Sequence, residues 1–279
     1  MAQRQQSREQ AGACASSCMD PHAHLNLKPL RRDVEGVLTR ADESGVRIVG
    51  NVFLTPAQYY RDVHLLQAMS QVFFLVGIHP HEAANVDDSA LDDLEKALRD
   101  PRVKAAGEMG LDFYKERSPR REQEKRFRQQ LEVALKADAP VVVHSRAAEE
   151  QTFGILREMG FVDRPLMWHC FGQDINFAKR LLQCGWTISI PGTVTFKKAD
   201  ALREAARLIP LDSMVLETDC PFLTPDPYRG KTNEPGLLPL IADRVASLRG
   251  MDREEVCRAT TETGMRFFSL ESEAKAAEI

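Results

Sequence analysis

The feature that most constrains this fold is a repeated alternation of short apolar segments with longer amphipathic ones. Eight segments have the length and the apolar, β-branched composition of buried strands. They span residues 18–25, 46–53, 72–79, 103–112, 140–145, 165–170, 186–190 and 214–219. Segments with apolar residues at helical spacing lie between them or follow them, at residues 33–44, 89–98, 121–137, 147–159, 174–184, 198–209, 237–248 and 253–268.

Strands that alternate with helices at this spacing are typical of parallel βαβ units. Eight such units predict an α/β fold of the closed (β/α)8 TIM barrel type, and a chain of 279 residues has the length of one such barrel. Because no Gly/Ser-rich or Pro-rich linker interrupts the series, we expect a single barrel domain over residues 19–270. Residues 1–18 and 271–279 are expected to be flexible tails.

Composition excludes several classes of protein. A hydrophobic content of 43% with 28% charged residues excludes a disordered chain. The longest apolar run, residues 72–78, is far shorter than the roughly 20 residues that a membrane-spanning helix needs, so we predict no membrane association. A net charge of −4 argues against a broad cationic surface for nucleic acids, and any polyanion must be bound locally.

The cysteines predict a reducing environment. Six cysteines occur, mostly far apart, and residues 1–17 are polar and contain no apolar secretory segment. These features predict a cytoplasmic protein with reduced thiols. Cys14 and Cys18 are close enough for a metal clip, but no second Cys or His pair follows nearby to complete four zinc ligands, so we interpret both as thiols of the N-terminal tail.

Six of the seven histidines lie at or just past the carboxyl ends of predicted strands. These six are His22, His24, His79, His81, His144 and His169. His22 and His24 are two residues apart, and alternate residues of a strand point to the same face, so both imidazoles can meet one ion. Since the carboxyl ends of barrel strands converge on the face where barrel enzymes have their active sites, the other histidines are expected there as well.

Two carboxylates end strands in the same way. Glu108 lies in an otherwise apolar strand, where burial without a partner is costly, and Asp219 ends the eighth strand. Taken singly, such residues are better explained as packed, hydrogen-bonded side chains or helix caps than as ligands. Together with four histidines they exceed the ligands of one tetrahedral zinc ion and suit two ions bridged by a carboxylate. The six predicted ligands are His22, His24, Glu108, His144, His169 and Asp219.

Seven motifs of the chain resemble the TatD family of metal-dependent deoxyribonucleases, within the amidohydrolase-like superfamily. In order they are Asp20-Pro-His-Ala-His-Leu25, Gly77-Ile-His-Pro-His81, Gly107-Glu-Met-Gly-Leu-Asp112, His144-Ser-Arg146, His169-Cys-Phe171, Glu217-Thr-Asp-Cys-Pro221 and Arg229-Gly-Lys-Thr-Asn-Glu-Pro235. The resemblance covers about residues 19–268. The chain departs from the family pattern at Ala23, where a Cys is frequent, at Gly172, where a Ser is usual, and at Gly264, where an Asn is common.

The resemblance implies a role for each motif residue. It implies one ion bound by His22, His24 and Asp219, a second bound by His144 and His169, and Glu108 as a ligand of both, with His79 and Arg146 touching the scissile phosphate. Glu108 and Asp219 are the expected catalytic residues. Two divalent ions are expected as cofactors: imidazole-rich coordination favours Zn or Mn, whereas the family is described as working with Mg.

The resemblance implies a 3′–5′ exonuclease, and a small barrel mouth also favours the end of single-stranded or frayed DNA as substrate. Basic residues in the loops, and the aromatic residues Phe113, Tyr114 and Phe171 near the predicted ligands, are candidates to hold phosphates and a terminal base. Alternatives are a metal hydrolase of a small ester or amide, a deacylase of aminoacyl-tRNA, and a non-enzymatic scaffold, which the intact ligand set opposes. DNA is the only partner predicted, and no protein partner is indicated.

Overall fold

The computed structural model describes residues 17–270. Eight strands are found in this part of the chain: β1 (Cys18–Ala23), β2 (Val46–Phe53), β3 (Val72–Val76), β4 (Val103–Asp112), β5 (Val141–Arg146), β6 (Leu166–Trp168), β7 (Thr187–Ile190) and β8 (Met214–Leu216). The α-helices of the same residues are α1 (Val34–Glu43), α2 (Pro56–Asp62), α3 (Ser89–Ala97), α4 (Arg120–Ala137), α5 (Glu149–Glu158), α6 (Ile175–Gln183), α7 (Asp200–Leu208), α8 (Leu238–Arg249) and α9 (Arg253–Phe267).

The strands form one sheet in the order β1 to β8, and each strand is parallel to the next. The sheet closes through a short seam between β8 and β1. There the backbone N–H of His24 donates to the carbonyl of Cys220 (2.8 Å), and the N–H of Asp219 donates to the carbonyl of His22 (3.0 Å). The predicted (β/α)8 barrel is confirmed, and its seam lies beside three predicted ligands.

Side chains of the strands alternate between two buried layers, as strands covered on both faces require. In β3, Phe74 and Val76 belong to the outer layer between the sheet and the helices, whereas Phe73 and Leu75 belong to an inner layer. The inner layer consists of Met19, Val52, Phe73, Leu75, Ala105, Val142, Met167, Val215 and Phe268. It fills the barrel toward the amino ends of the strands.

Helix α9 packs tightly against β1. A Cβ atom at Gly264 would lie 2.6 Å from Sδ of Met19, so a larger residue there would require the Met19 side chain to move. Cys257 of the same helix forms a disulfide with Cys18, across 239 positions of sequence. The prediction that Cys18 is a reduced thiol of the tail is therefore wrong, whereas the prediction that the first strand begins at Cys18 is confirmed: Cys18 is a buried, disulfide-bonded residue of β1. No local pattern reveals a pairing over that separation, and Cys14 lies outside the described residues.

The predicted helices are found with ends within two residues of those expected, and α2 is an additional element. Polar caps fix several helix starts: Asp33 accepts from the N–H of Gly36 (3.1 Å) and Asp174 from that of Phe177 (2.9 Å). Four strands, β1, β3, β6 and β8, end two or three residues earlier than predicted, because the polar residues that follow them leave the ladder for the loops at the mouth. Within residues 17–270, no helix is both long and apolar enough to cross a membrane.

Candidate metal centre

Glu108 lies at the centre of the barrel mouth, and its two carboxylate oxygens face different histidines. Oε2 is 3.4 Å from Nε2 of His22 and 3.9 Å from Nε2 of His24. Oε1 is 2.6 Å from Nδ1 of His144 and 3.4 Å from Nε2 of His169. The structure thus brings residues from β1, β4, β5 and the segments after β1 and β6 around one carboxylate, with the rings of His144 and His169 6.1 Å apart.

Asp219 completes the side of the centre that is formed by β1. Its Oδ1 lies 3.3 Å from Nε2 of His24 and 3.9 Å from Nε2 of His22. Several sets of three residues place their potential ligand atoms within 4.8 Å of one another, which is close enough to hold one metal ion. These sets are His22 with His24 and Asp219, His22 with Glu108 and His169, His79 with Glu108 and His144, and His169 with Cys170 and Asp219.

Glu108 faces the barrel interior because β4 contains a bulge. The pairing of β4 with β5 shifts between Gly107 and Met109, so that Glu108 is an extra residue in the ladder. If side chains alternated strictly from the inner-layer residue Ala105, Glu108 would point toward the helices. A β-bulge, which inserts one extra residue into a strand, commonly redirects a side chain in this way. Gly107 permits the bulge: its φ is +148°, and a Cβ there would lie 2.5 Å from the carbonyl oxygen of Val142.

The histidines of β1 are redirected in the same way. Met19 belongs to the inner layer and Ala23 to the outer one, although both have odd positions in the strand. The register of β1 against β2 shifts between Asp20 and Ala23, which reverses the alternation. His22 and His24 therefore point into the mouth and share a face, as their spacing predicts.

The donor set fits a bound cation. His22 is completely buried, and within residues 17–270 neither of its ring nitrogens makes a hydrogen bond. A buried polar atom of this kind is costly unless something binds it. Burial and the nearby His169 lower the pKa of His22, so its imidazole is neutral, which is the form that binds metals. Its Nε2 faces two carboxylates, the arrangement that a divalent cation would complete.

The carboxylates of the centre are ionised. Burial opposes ionisation of Glu108, but the histidines around it, first His79 and His169, outweigh that effect and hold its pKa well below the usual value. Burial likewise opposes ionisation of Asp219, and the hydrogen bond with His24 and the charge of His169 lower its pKa. Two negative charges, one buried and one partly buried, therefore face the imidazoles, which favours the binding of cations.

Comparison with known proteins identifies the family of the chain. The profile of the family described as "TatD related DNase" matches residues 19–269. The chain belongs to the TatD family.

Named relatives in this family span nearly the same length as the chain. The uncharacterized metal-dependent hydrolase YabD of Bacillus subtilis (strain 168) is 34% identical over 251 residues, which cover 90% of this chain and 98% of YabD. YcfH of Escherichia coli (strain K12), also described as an uncharacterized metal-dependent hydrolase, is 35% identical over 257 residues, covering 91% of this chain and 96% of YcfH. The crystal structure of YjjV, a TatD homologue from Escherichia coli K12, superposes with a TM-score of 0.86 at 27% identity and covers 92% of this chain and 99% of YjjV.

This TatD-family centre includes a carboxylate that sequence analysis did not assign. Oε2 of Glu217 lies 2.9 Å from Nδ1 of His169, and Oε1 accepts a hydrogen bond from the backbone N–H of Cys170 (2.7 Å). Glu217 is completely buried. It orients the ring of His169 so that Nε2 faces Glu108, and a carboxylate on the far nitrogen of a metal-binding histidine is a common arrangement. Its position could have indicated this role: Glu217 lies two residues before Asp219 in the predicted eighth strand, and alternate residues of a strand point to the same face.

Asp112 is a second unassigned carboxylate. Its Oδ2 lies 2.9 Å from Nε2 of His81 and 3.3 Å from Nε2 of His144, while Oδ1 accepts from the N–H of Tyr114 (3.0 Å) and Lys115 (2.8 Å). Burial opposes protonation of His144, but its hydrogen bonds with Asp112 and with the central glutamate raise its pKa to about 9. Asp112 therefore fixes the ring of His144 and the loop after β4 together.

The two residues predicted to contact the scissile phosphate, His79 and Arg146, differ in their exposure to solvent. His79 is buried, with Nε2 3.5 Å from Oε1 of Glu108. Arg146 is exposed at the end of β5, and its guanidinium lies over the ring of Tyr114 at 4.1 Å from the ring centroid. His79 thus belongs to the metal centre itself, whereas Arg146 lies at its rim.

Proposed function

We propose that this metal-dependent hydrolase is a deoxyribonuclease that removes nucleotides from the 3′ end of single-stranded or frayed DNA, using two divalent ions. The observation that carries the proposal is the placement of Glu108, with one oxygen toward His22 and His24 and the other toward His144 and His169. Carboxylate bridging of this kind is typical of two-metal phosphodiester hydrolysis. The description of the matched family as DNase supports the same substrate.

Each ligand group has a place in this proposal. His22, His24 and Asp219 would hold one ion, and His144 and His169 the other, with Glu108 between them. A pair of divalent ions, Zn, Mn or Mg, would supply Lewis-acid polarisation of the phosphate and a water of lowered pKa. Hydrolysis forms a bond from the water oxygen to phosphorus and breaks the bond to the leaving 3′ oxygen, which takes up a proton.

Asp219 is the proposed proton acceptor. Its lowered pKa keeps it ionised at neutral pH, and its Oδ1 lies within 4 Å of both His22 and His24. A carboxylate in this position can accept the proton of the attacking water and return it to the leaving oxygen. Asp219→Asn should preserve the fold and remove most turnover.

Phosphate binding is assigned to His79 and Arg146. Burial lowers the pKa of His79 to about 4, so its imidazole is neutral and offers a hydrogen bond and not a charge. Arg146 supplies the charge at the rim, where a guanidinium can bind two phosphate oxygens. Because Glu108 is almost completely buried, a substrate must enter the mouth to reach it, which favours a flexible strand end over the middle of a duplex.

The direct test uses protein that has been stripped with a chelator and reloaded separately with Zn, Mn and Mg. Single-stranded DNA labelled at its 5′ end should be shortened stepwise from the 3′ end, and blunt duplex should be cut more slowly. Parallel assays use a simple ester and an aminoacyl-tRNA. Turnover of either of these, without any DNA product under any metal, would replace the proposal by one of the alternative hydrolases. DNA as the only partner and a cytoplasmic location remain predictions from the sequence.

A further inference from the structure

A solvent-exposed aromatic ring lies beside one of the candidate metal ligands. Phe222 follows Asp219 by three residues and is 52% exposed, and its ring centroid lies 6.1 Å from that of His24 in an edge-to-face arrangement. Among the other large exposed apolar side chains, Tyr60 lies on α2 and Leu208 at the end of α7, and Tyr114 and Tyr228 lie in the loops after β4 and β8. Phe222 therefore differs from them in lying next to a candidate ligand.

The loop that carries Phe222 is held in place by a buried asparagine. Nδ2 of Asn233 donates to the carbonyl of Thr218 (2.8 Å) and to that of Phe222 (2.6 Å), and its backbone N–H donates to the carbonyl of Pro221 (3.2 Å). The N–H of Phe222 itself donates to the carbonyl of Asp219 (2.9 Å). Because this backbone is already ordered, binding a ligand on the ring costs little conformational entropy.

The other aromatic residues near the mouth are buried or have a cation against the ring, although Tyr114 is 64% exposed. The sequence suggested Phe113, Tyr114 and Phe171 as holders of a base. Phe171 is fully buried, Arg120 lies over Phe113 at 4.5 Å, and Arg146 lies over Tyr114. No lysine or arginine of residues 17–270 is placed over the ring of Phe222 in the same way. Its exposed surface is thus open to a planar ligand.

We propose that Phe222 is a stacking platform for a nucleobase adjacent to the scissile phosphodiester. This inference rests on the proposed function, since it assigns a binding site to the same single-stranded DNA end. A phosphate held at the Glu108 centre places a neighbouring base within reach of a ring that borders His24. Stacking on an aromatic ring tolerates every base, so the platform gives affinity for single strands without sequence preference.

The test compares two labelled oligonucleotides that differ only at the 3′ end. One has normal nucleotides, and in the other the last two nucleotides lack their bases. The metal-loaded full chain is assayed as wild type, Phe222→Ala, Phe222→Tyr and Leu208→Ala. Leu208 is the matched control, because it is 51% exposed and lies at the far end of α7. Metal content and circular dichroism are measured for every variant.

We expect Phe222→Ala to lower kcat/KM for the normal oligonucleotide roughly 5- to 100-fold, the range for loss of one stacked base, with metal content unchanged. Phe222→Tyr and Leu208→Ala should stay near wild type. Phe222→Ala should cut the normal and the abasic oligonucleotide at similar rates. The wild type should cut the abasic oligonucleotide at about that same low rate.

Two results would overturn the inference while leaving the nuclease intact. The first is wild-type protein that cuts both oligonucleotides equally well. The second is Phe222→Ala that slows both by the same factor, which would indicate a structural effect on the metal centre. If the wild type cuts neither oligonucleotide with any metal, the proposed function fails as well.

Discussion

The same eight strands have opposite chemistry at their two ends. Toward their amino ends the barrel interior is filled by apolar side chains such as Leu75, Val142 and Met167. Two residues further along the chain, Val142 is followed by His144 and Met167 by His169, so the inward-facing positions change from apolar packing to metal-binding groups. Packing and chemistry are therefore separated along the strand axis. Mutations at the two ends should have separable effects on stability and on metal binding.

The largest expected effect is at the mouth. Glu108→Ala removes the carboxylate that faces both histidine groups, so neither ion keeps its full set of ligands. Activity on single-stranded DNA should fall more than about 100-fold, beyond the range for loss of an outer partner of a ligand. The fold should remain, because the inner layer is untouched; circular dichroism and metal analysis check this. Near-normal activity in this variant would contradict the assignment of the chemistry to the mouth.

A mutation at the amino ends of the strands should lower stability and leave metal binding nearly unchanged. Met167→Ala leaves a cavity in the inner layer and should lower the free energy of unfolding by about 2–5 kcal/mol. Metal affinity of the folded protein should stay within about twofold of wild type, since additivity holds for sites without shared partners. Urea denaturation and chelator competition measure the two quantities. A large loss of metal affinity would show that the two ends are coupled.

A smaller effect is expected for the outer carboxylate of the centre. Glu217→Gln keeps the shape of the side chain but weakens its hold on Nδ1 of His169. Metal affinity should fall about 10- to 100-fold, the usual cost of removing such a partner. A competing chelator measures the affinity, and Glu132→Gln on the outside of α4 serves as the control. Unchanged affinity would mean that packing alone positions His169.

The smallest effect concerns a buried network behind β1. Asp62 accepts hydrogen bonds from Arg61 (2.8 Å) and Asn26 (3.5 Å), and Asn26 contacts Asn51, which accepts from the N–H of Leu25. The hydrogen bond from Arg61 lowers the pKa of Asp62. Asp62→Asn should cost about 1 kcal/mol of unfolding free energy at neutral pH.

The pH dependence of that effect has a definite sign. A carboxyl whose pKa is lowered on folding stabilises the protein above its unfolded pKa and loses this contribution as pH falls through the folded value. The difference between wild type and Asp62→Asn should therefore shrink in acid. Urea titrations at several pH values measure it, with Asp92→Asn, at an exposed position of α3, as control. A difference that grows in acid would contradict the assignment.

Most of the architecture could be predicted from the sequence, because strands and helices of this length carry their period in the side chains. The ligands could be predicted because polar residues at the ends of apolar strands are unusual. Their orientation could not: Glu108 points inward through a bulge that depends on Gly107 and its pairing partner. Contacts between distant residues, such as the Cys18–Cys257 disulfide and the Asn233 clamp on Phe222, likewise leave no local pattern.

Anomalous diffraction from crystals of the metal-loaded protein, together with metal analysis in solution, is the decisive test of whether Glu108 is shared by two ions. We predict two ions per chain, one near His22, His24 and Asp219 and one near His144 and His169, with one oxygen of Glu108 toward each. A single ion, or two ions with Glu108 turned away from both, would contradict the bridging role on which the proposed hydrolysis depends.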